Sequence, residues 1–314
     1  MNIAKKINVL IIMFILISLN IKNLHAIENK ILFKIDNEII TSIDIYEEIK
    51  FLKIFNPEVV NLSENELFEI SKNSILRDKI KKIEIMNYVK ELKVDDKFLL
   101  RFIKNRYSNK GLDSIESFQN YLKDNDLNIK TVFEKIAIEL IWNDVIFQKF
   151  QNKININKKK IKEEILKNPQ QKIQKELSLS EIVFDVNQKS EFEQKYKKIL
   201  LDIEQTGFKN AALIHSSSDT ASVGGVIGWV KEDNLNKEIM GLLKNLNKGQ
   251  YSKPIRTSVG FLIIKIEDIK EYEIEFDLNK KIKEVIQFKT NEQLDQFSKI
   301  YFNKIKKDLI FDDL

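Results

Sequence analysis

One run of the sequence places a histidine, three serines and an aspartate side by side, from His215 to Asp219. These side-chain types are those of a hydrolytic triad, in which a base activates a nucleophilic hydroxyl. Triad members meet in space and are not usually adjacent along the chain, and no nucleophile-elbow motif is present. We therefore reject a hydrolase and interpret His215 as a helix-end or surface histidine.

Other chemical arrangements are also excluded. The chain has no cysteine, so it has no disulfide, thiolate metal site or cysteine nucleophile. Asp36, Asp44, Asp95 and Asp96 lack the spacing of a calcium loop, and we expect neither a metal nor a cofactor. Three of the 52 basic residues lie in residues 1–26, which hold no acid, so the remaining 49 basic residues nearly balance the 47 acidic ones. That balance gives no indication of nucleic-acid binding.

The tight turns of the chain are concentrated in residues 216–265. Seven of the eight glycines fall between Gly207 and Gly260, and glycine is used where φ is positive or where two backbones approach closely. The stretch has a Ser/Asp loop, then Gly-Gly-Val-Ile-Gly-Trp (224–229), a helical pattern, Pro-Ile-Arg-Thr-Ser-Val-Gly-Phe (254–261) and an apolar β run. Turns and strands are predicted here, between regions of long helices.

Helical patterns dominate the residues before this stretch. A β hairpin over 31–40 turns at Asp36-Asn37 and is followed by apolar stripes at helical spacing. The stripes predict a helix that is capped by Thr41 or Ser42 and ends before Pro57, followed by helices over 66–92 and 94–107. A short helix then begins at Ser114 or Ser117, a long one runs from Asn128 or Thr131 to Phe150, and a linker helix covers 154–169. In the helix that ends at Phe150, we expect Val145 and Phe147 to face inward and Trp142 to belong to the core.

A mixed pattern follows from residue 177. Strands are predicted over 177–184, 251–257 and 259–269, and helices over about 190–205, 208–214 and 235–246. Ser190 and Glu193 have the spacing of a capping box for the first of these helices. With the glycine-rich turn as a further strand, the order is β-α-α-β-α-β-β. An amphipathic helix is predicted over 290–307.

Residues 1–26 have the pattern of a secretory signal. Lys5 and Lys6 form a basic start, Ile7 to Leu19 is almost wholly apolar, and Ala26 is a small residue suited to cleavage. The apolar run is shorter than the roughly 20 residues that span a bilayer. We expect cleavage after Ala26, and an uncleaved membrane anchor is the alternative.

The motifs resemble two known families. The Ser/Asp loop, the Gly-Gly-x-x-Gly-Trp turn and the Pro-Ile-x-Thr-x-x-Gly-Phe run are similar to the parvulin-type peptidyl-prolyl isomerase domain. The hairpin from Ile35 to Asp44 resembles the N-terminal signature of SurA-type periplasmic chaperones, and the resemblance extends over 28–314. The best-known member of that family carries two parvulin repeats, whereas this chain has length for one.

The resemblance implies an α+β fold with a helical chaperone domain and a parvulin-like domain of four antiparallel strands with surrounding helices. The implied divisions are a signal peptide (1–26), a SurA-like N-terminal domain (27–172), a parvulin-like domain (173–270) and a C-terminal helix and strand (271–314). The last segment is expected to fold back onto the N-terminal domain, with Leu309 to Phe311 pairing with Ile31–Ile35.

The resemblance also implies site residues. Active parvulins carry a histidine on the first strand, a cysteine or aspartate in the loop and a histidine on the last strand. Those positions correspond to Glu181, to Thr220 or Asp219, and to Leu262, so both histidines are replaced. The residues that match the proline-binding pocket are Ile227, Leu235, Ile239, Thr257 and Phe261. Such a pocket promotes rotation about a bond whose barrier is about 18–20 kcal/mol.

We predict a periplasmic chaperone that binds unfolded or partly folded polypeptides, with outer-membrane proteins as the expected clients. Its parvulin-like domain is predicted to be a weak isomerase or a former isomerase that serves as a peptide-binding or structural module. Chaperone activity is expected to depend mainly on residues 28–172 and 271–314. The alternative is an active prolyl isomerase, soluble or membrane-tethered, that uses Glu181, Asp219 and Thr257.

Overall fold

The computed structural model describes residues 29–167, 173–186, 188–273 and 277–313. The predicted signal peptide lies outside these residues. The described chain forms two units that we name by their dominant structure. The helical unit comprises residues 29–167 together with 277–313, and the sheet unit comprises residues 173–273.

The helical unit begins with the predicted hairpin. Strands β1 (Ile31–Ile35) and β2 (Glu38–Thr41) are antiparallel, and Asp36 makes the turn with a φ of 47°. Strand β7 (Phe311–Asp313) pairs with the other edge of β1, giving the order β2-β1-β7. The expected return of the C-terminus to the first strand is confirmed, although the paired strand begins two residues later than Leu309.

Six helices follow β2, and the apolar stripes predict most of their positions. They are α1 (Ser42–Phe55), α2 (Glu64–Ile85), α3 (Asp96–Tyr107), α4 (Ile115–Asp124), α5 (Ile129–Phe150) and α6 (Lys158–Lys167). The first five begin at a residue whose side chain accepts a hydrogen bond from a backbone N–H of the first turn. For α4 that residue is Ser114 and not Ser117, and for α5 it is Asn128 and not Thr131.

A half-buried charge cluster, in which Glu48 is the buried member, joins α1, α2 and α5. The Lys135 ammonium on α5 lies 2.9 Å from Glu48 on α1 and 2.7 Å from Asp78 on α2, and it donates to Ser74. Burial opposes the charge on this lysine, but the two carboxylates outweigh burial and raise the pKa of Lys135. Removal of one partner would leave a buried charge uncompensated, so the cluster fixes the positions of these helices.

The sheet unit has the predicted order of elements. It contains β3 (Ile173–Phe184), α7 (Phe192–Thr206), α8 (Phe208–His215), β4 (Val226–Lys231), α9 (Lys237–Leu243), β5 (Ile255–Thr257) and β6 (Gly260–Glu273). The four strands are antiparallel in the order β4-β3-β6-β5. The fold is therefore α+β, as the resemblance implied, and β3 lies inside the sheet.

The units meet along two helices. Helix α8 packs on α2, and Leu213 of α8 joins a buried cluster with Leu52, Val59 and Ile70 of the helical unit. The second contact is made by α10 (Leu278–Asp308), which begins 12 residues before the predicted helix. It packs on α5 and α6 within the helical unit and contacts the sheet unit through Phe288 and through ion pairs with Lys231 and Asp233. None of the described helices combines the length and the apolar character that crossing a bilayer requires.

Three predictions of local structure are wrong. Ser190 and Glu193 form no capping box, because a short 3-10 turn over Lys189–Glu191 leads directly into α7. Helix α2 ends at Ile85 and not near residue 92. Phe147 is 44% exposed and not inward, because five residues after the buried Trp142 correspond to about 140° around the helix.

Candidate functional site: the loop, the sheet face and the cleft

The glycine-rich turn fits against the first strand position of the predicted site. Glu181 of β3 donates its backbone N–H to the carbonyl of Gly225 at 2.8 Å. A Cβ atom on Gly225 would lie 2.1 Å from the Glu181 carbonyl oxygen, and the φ of Gly225 is +76°. Glycine is therefore required here for both space and conformation, and the turn holds the Ser/Asp loop against the strand.

The Glu181 side chain is buried and already has polar partners. Its Oε1 atom accepts a hydrogen bond from the Thr220 hydroxyl at 2.9 Å and lies 3.4 Å from the Lys299 ammonium of α10. Of the two loop residues that the sequence offered, Thr220 contacts Glu181, and this geometry favours Thr220 as the loop position. The side chains of Glu181 and Thr220 thus both already have partners within the protein.

Two serines extend this contact and were not predicted. The hydroxyls of Ser216, Ser218 and Thr220 form a chain with oxygen separations of 2.9 and 2.7 Å, and Ser216 also accepts from the backbone N–H of Val183. Both serines are buried. The only sequence signal for these two serines is that they alternate with other residues in the loop that leads to Thr220. That alternation does not show which way their side chains point.

His215 belongs to a different contact. Its Nε2 atom lies 2.5 Å from Asp202 of α7, at the end of α8. Burial lowers the pKa of His215, and the opposing effect of Asp202 is smaller. The rejected triad has no geometric support, because the serines bond to β3 and to each other while the histidine bonds to α7. His215 is a helix-end residue, as predicted, but its side chain is not on the surface.

Asp219 points toward the helical unit. Its Oδ1 atom lies 2.8 Å from the Lys81 ammonium of α2, and its Oδ2 atom accepts from the Ser298 hydroxyl of α10 at 3.0 Å. Ser298 in turn accepts from the indole N–H of Trp142 at 2.9 Å. Burial opposes ionisation, but Lys81, with smaller effects from Arg77 and Ser298, outweighs it and lowers the pKa of Asp219 to about 2.

The apolar half of the predicted site is assembled on one face of the sheet. Leu262 lies opposite Val183, two residues along β3 from Glu181, so Leu262 and Glu181 share a face. Leu235 and Ile239 of the α9 region pack against the cluster on that face. The cluster also takes in Phe288 of α10.

Three other predicted pocket residues lie elsewhere. Phe261 is on the opposite face of β6, with its ring centroid 5.5 Å from Phe184 and 4.4 Å from Phe192, because adjacent strand residues point to opposite faces. Its assignment to the pocket is therefore wrong. Thr257 donates to the Gly260 carbonyl at 2.9 Å and accepts from Val259, so its hydroxyl is used by the β5–β6 turn.

Ile227 lines a cleft between the two units and is not packed in the cluster around Leu262. The cleft has a volume of about 350 Å³. Its apolar lining comes from α1, α3 and α5 on one side and from the 223–227 segment on the other. These residues are Phe51, Phe55, Phe102, Tyr107, Ile136, Val223, Val226 and Ile227. Arg106, Lys110 and Glu139 are among its polar residues.

The aromatic wall of the cleft was interpreted from the sequence as helix core. Its residues do pack together, with Phe55 4.8 Å from Tyr107 between ring centroids. Periodicity identifies an apolar helix face but not whether that face is covered. The aromatic wall of the cleft was missed for this reason.

Comparison with known proteins bears on both units. Residues 177–268 match the family model described as "Rotamase: PPIC-type PPIASE domain". The chain is 28% identical over 178 residues to the chaperone SurA of Hahella chejuensis, an alignment that covers 54% of this chain and 41% of that protein. It is 26% identical over 164 residues to the chaperone SurA of Pseudomonas aeruginosa, covering 49% and 39%. The aligned region thus spans less than half the length of either SurA relative.

A solved structure was also found in the comparison. It comes from work on two Campylobacter jejuni proteins, PEB4 and Cj1289, that are described as SurA-like chaperones. The similarity is 17% identity with a TM-score of 0.35, covering 91% of this chain and 99% of that one. At this TM-score the superposition adds nothing to the sequence matches.

Proposed function

Because this chain is similar to SurA chaperones and contains a parvulin-type domain, we propose that it is a periplasmic chaperone for unfolded or partly folded polypeptides. The observation that carries the proposal is the cleft between the units. Ile227 is 43% exposed and Val226 38% exposed on one side, and aromatic side chains lie opposite. An exposed apolar surface rimmed by polar residues marks a site of interaction with other polypeptides.

The geometry of the cleft suits unstructured clients. It is open, and its cations and its carboxylate lie beside the apolar lining. An extended segment can place apolar side chains in such a cleft while its backbone stays hydrated. We propose outer-membrane proteins as the clients and the periplasm as the location. The second proposal is supported by the basic and apolar pattern of residues 1–19 and by Ala26.

We further propose that the parvulin-type domain is a weak isomerase. Leu262 has no hydrogen-bonding group, and an ionised Glu181 can only accept. Glu181 already accepts from Thr220, and Asp219 is bound to Lys81 and Ser298. The rival set of Glu181, Asp219 and Thr257 lacks support, because each of these side chains is engaged in a separate contact.

Two assays on the mature protein test the proposal. In the first, an unfolded outer-membrane polypeptide is diluted from denaturant, and we expect the protein to suppress its aggregation. In the second, prolyl isomerisation of a peptide is measured beside an active parvulin domain. Loss of one placed hydrogen-bond donor typically costs about 100- to 1000-fold in rate, so we expect a rate lower by at least that factor.

The outcomes separate the two functions. A rate equal to that of the active parvulin, abolished by Glu181→Ala or Asp219→Ala, would establish the enzyme instead. Failure to suppress aggregation at a several-fold excess of the protein would contradict the chaperone. Substitution of Thr220 by alanine is the matched control in the loop, and we expect it to leave aggregation suppression unchanged.

A further inference from the structure

Helix α10 runs from the sheet unit to the helical unit. Its 31 residues give it a length of about 46 Å. Near its start, Lys281 lies 2.7 Å from Asp233 and donates to Gln174, and Glu284 lies 2.5 Å from Lys231 of β4. The first turns of the helix are thus held by side chains of the sheet unit.

The middle of α10 contributes one side chain to the apolar face. Phe288, one turn after Glu284, packs against the cluster that contains Leu262 and is bordered by Leu235 and Ile239. Farther along the helix, Lys299 contacts Glu181. The apolar cluster and the polar strand position that match a proline-binding site are therefore both contacted by the same helix.

We propose that α10 is an internal ligand of this sheet face, and that the face binds an external polypeptide only in exchange for residues 278–288 of α10. The inference rests on the proposed binding of unfolded polypeptides and gives that function a second, regulated surface. Phe288 supplies the apolar group that a client side chain would otherwise place on the face.

The two halves of α10 are held differently, and this difference permits exchange. The ion pairs of the first half are partly exposed to solvent, so water and salt weaken them. In the second half, Phe297 stacks on Phe150 at 5.0 Å and Tyr301 stacks on Trp142 at 5.9 Å between ring centroids. The second half can therefore remain fixed while the first half leaves the face.

An internal ligand lowers the apparent affinity of an external one. The measured dissociation constant equals the intrinsic constant divided by the fraction of molecules in which the face is open. A substitution that removes Phe288 from the cluster should raise that fraction and tighten binding, although it deletes an apolar contact. If the face were only a structural interface, the same substitution would not increase its affinity for a peptide.

The test compares Phe288→Asp with Gln287→Asp, which adds the same charge to the exposed neighbouring position. Both are made in an Ile227→Asp background, so that binding in the cleft does not mask binding to the face. The probe is a fluorescently labelled extended peptide with proline between apolar residues. We expect Phe288→Asp to bind at least about tenfold more tightly than Gln287→Asp. Hydrogen exchange should show that saturating peptide increases exchange in 278–288 and not in 297–305 of the background protein.

The inference would be overturned if the two variants bound the peptide equally well or not at all. It would also be overturned if the peptide left the hydrogen exchange of 278–288 unchanged. A second variant covers the case in which Phe288→Asp does not fold. The chain has no cysteine, so a protein with Lys231→Cys and Glu284→Cys can be closed by a short bis-maleimide. Closure should abolish peptide binding relative to the unlinked protein, and unchanged binding would again overturn it. Aggregation suppression by the unmodified protein reports separately on the proposed chaperone function.

Discussion

Two apolar surfaces lie where the units of this chain meet, and the described residues cover only one of them. The cleft around Ile227 faces the aromatic side chains of α1 and α3 across open space. The sheet face around Leu262 is in contact with Phe288 of α10. Both surfaces are lined mainly by apolar side chains. What distinguishes them is whether a segment of the same chain reaches the surface.

The difference has an energetic meaning. Apolar surface that is buried within the chain contributes about 25 cal/mol per Å² to folding. Surface left open contributes nothing to folding and remains available to a ligand. Glu181, Leu262, Leu235 and Ile239, which match the family site, are on the covered surface, whereas Ile227 is in the open cleft. Resemblance to a catalytic site therefore does not by itself identify the surface that is open to a ligand. The predictions below test this contrast between the open cleft and the covered face.

The largest effect is expected from removing the second half of α10. Deletion of 293–314 would remove Ser298 from the buried Trp142 indole and would expose the apolar side of α5. A helix face that loses its partner becomes an aggregation surface. We expect an insoluble protein, measured as the soluble fraction after expression. Deletion of 311–314 alone, which removes only the edge strand, is the control and should leave the protein soluble.

A smaller effect is expected from the polar contact beside the covered face. Lys81 is 5% exposed, and Asp219→Ala would leave its ammonium without the carboxylate at 2.8 Å. An unsatisfied buried donor costs about 1–3 kcal/mol, and the low end applies because the Asp219 side chain is 39% exposed. The free energy of unfolding in urea gives the value. A loss no larger than that of Ser222→Ala in the same loop would contradict a stabilising contact.

The same pair predicts a dependence on pH. The pKa of Asp219 is lowered from 3.8 to about 2, so the unfolded chain binds its proton more readily than the folded one. The stabilisation is present above pH 3.8 and is lost as the pH falls through about 2. Unfolding of the unmodified protein and of Asp219→Asn should therefore converge at low pH. A constant difference in free energy between pH 5 and pH 2 would show that the carboxylate charge is not involved.

The sequence predicted the fold well where a local pattern decides the structure. Periodicity predicted the helices, the Gly-Gly turn predicted the position of the loop, and the resemblance to the parvulin-type domain implied the four-stranded sheet. Phe261 was wrongly assigned because matching by motif ignores the alternation of β6. Phe147 was wrongly placed because five residues along a helix turn the side chain away from Trp142.

The long-range contacts of the site could not be predicted from the sequence. The contacts of Asp219 with Lys81 and Ser298 join residues 138 and 79 positions apart. Neither distance corresponds to a period of a helix or strand. The position of Phe288 depends on the whole path of α10, whose first 12 residues were not predicted to be helical. Which surface is open and which is covered therefore follows from the arrangement of the units.

A change in the open cleft should affect function and leave stability nearly unchanged. Ile227→Asp places a charge in the cleft at a residue that is 43% exposed, so the folded state loses little buried surface. We expect about tenfold weaker suppression of client aggregation, which corresponds to about 1.4 kcal/mol, and an unchanged melting temperature. Leu201→Asp, at a residue of α7 that is 49% exposed, is the matched control. Equal effects of the two substitutions would show that the cleft does not bind clients.

The smallest effect concerns His215, next to the loop that carries Asp219. Burial lowers the pKa of His215, and Lys195 and Lys198 add to this, while Asp202 opposes it. The folded protein thus holds the ring neutral more strongly than the unfolded chain does. The contribution is present above pH 6.5 and is lost as the pH falls through the folded value. His215→Gln should remove this part of the pH dependence of unfolding between pH 7.5 and pH 5, whereas Asp202→Asn should steepen it, because the ring would lose the carboxylate that favours its protonation. If Asp202→Asn instead flattened the dependence, burial would not be the dominant cause.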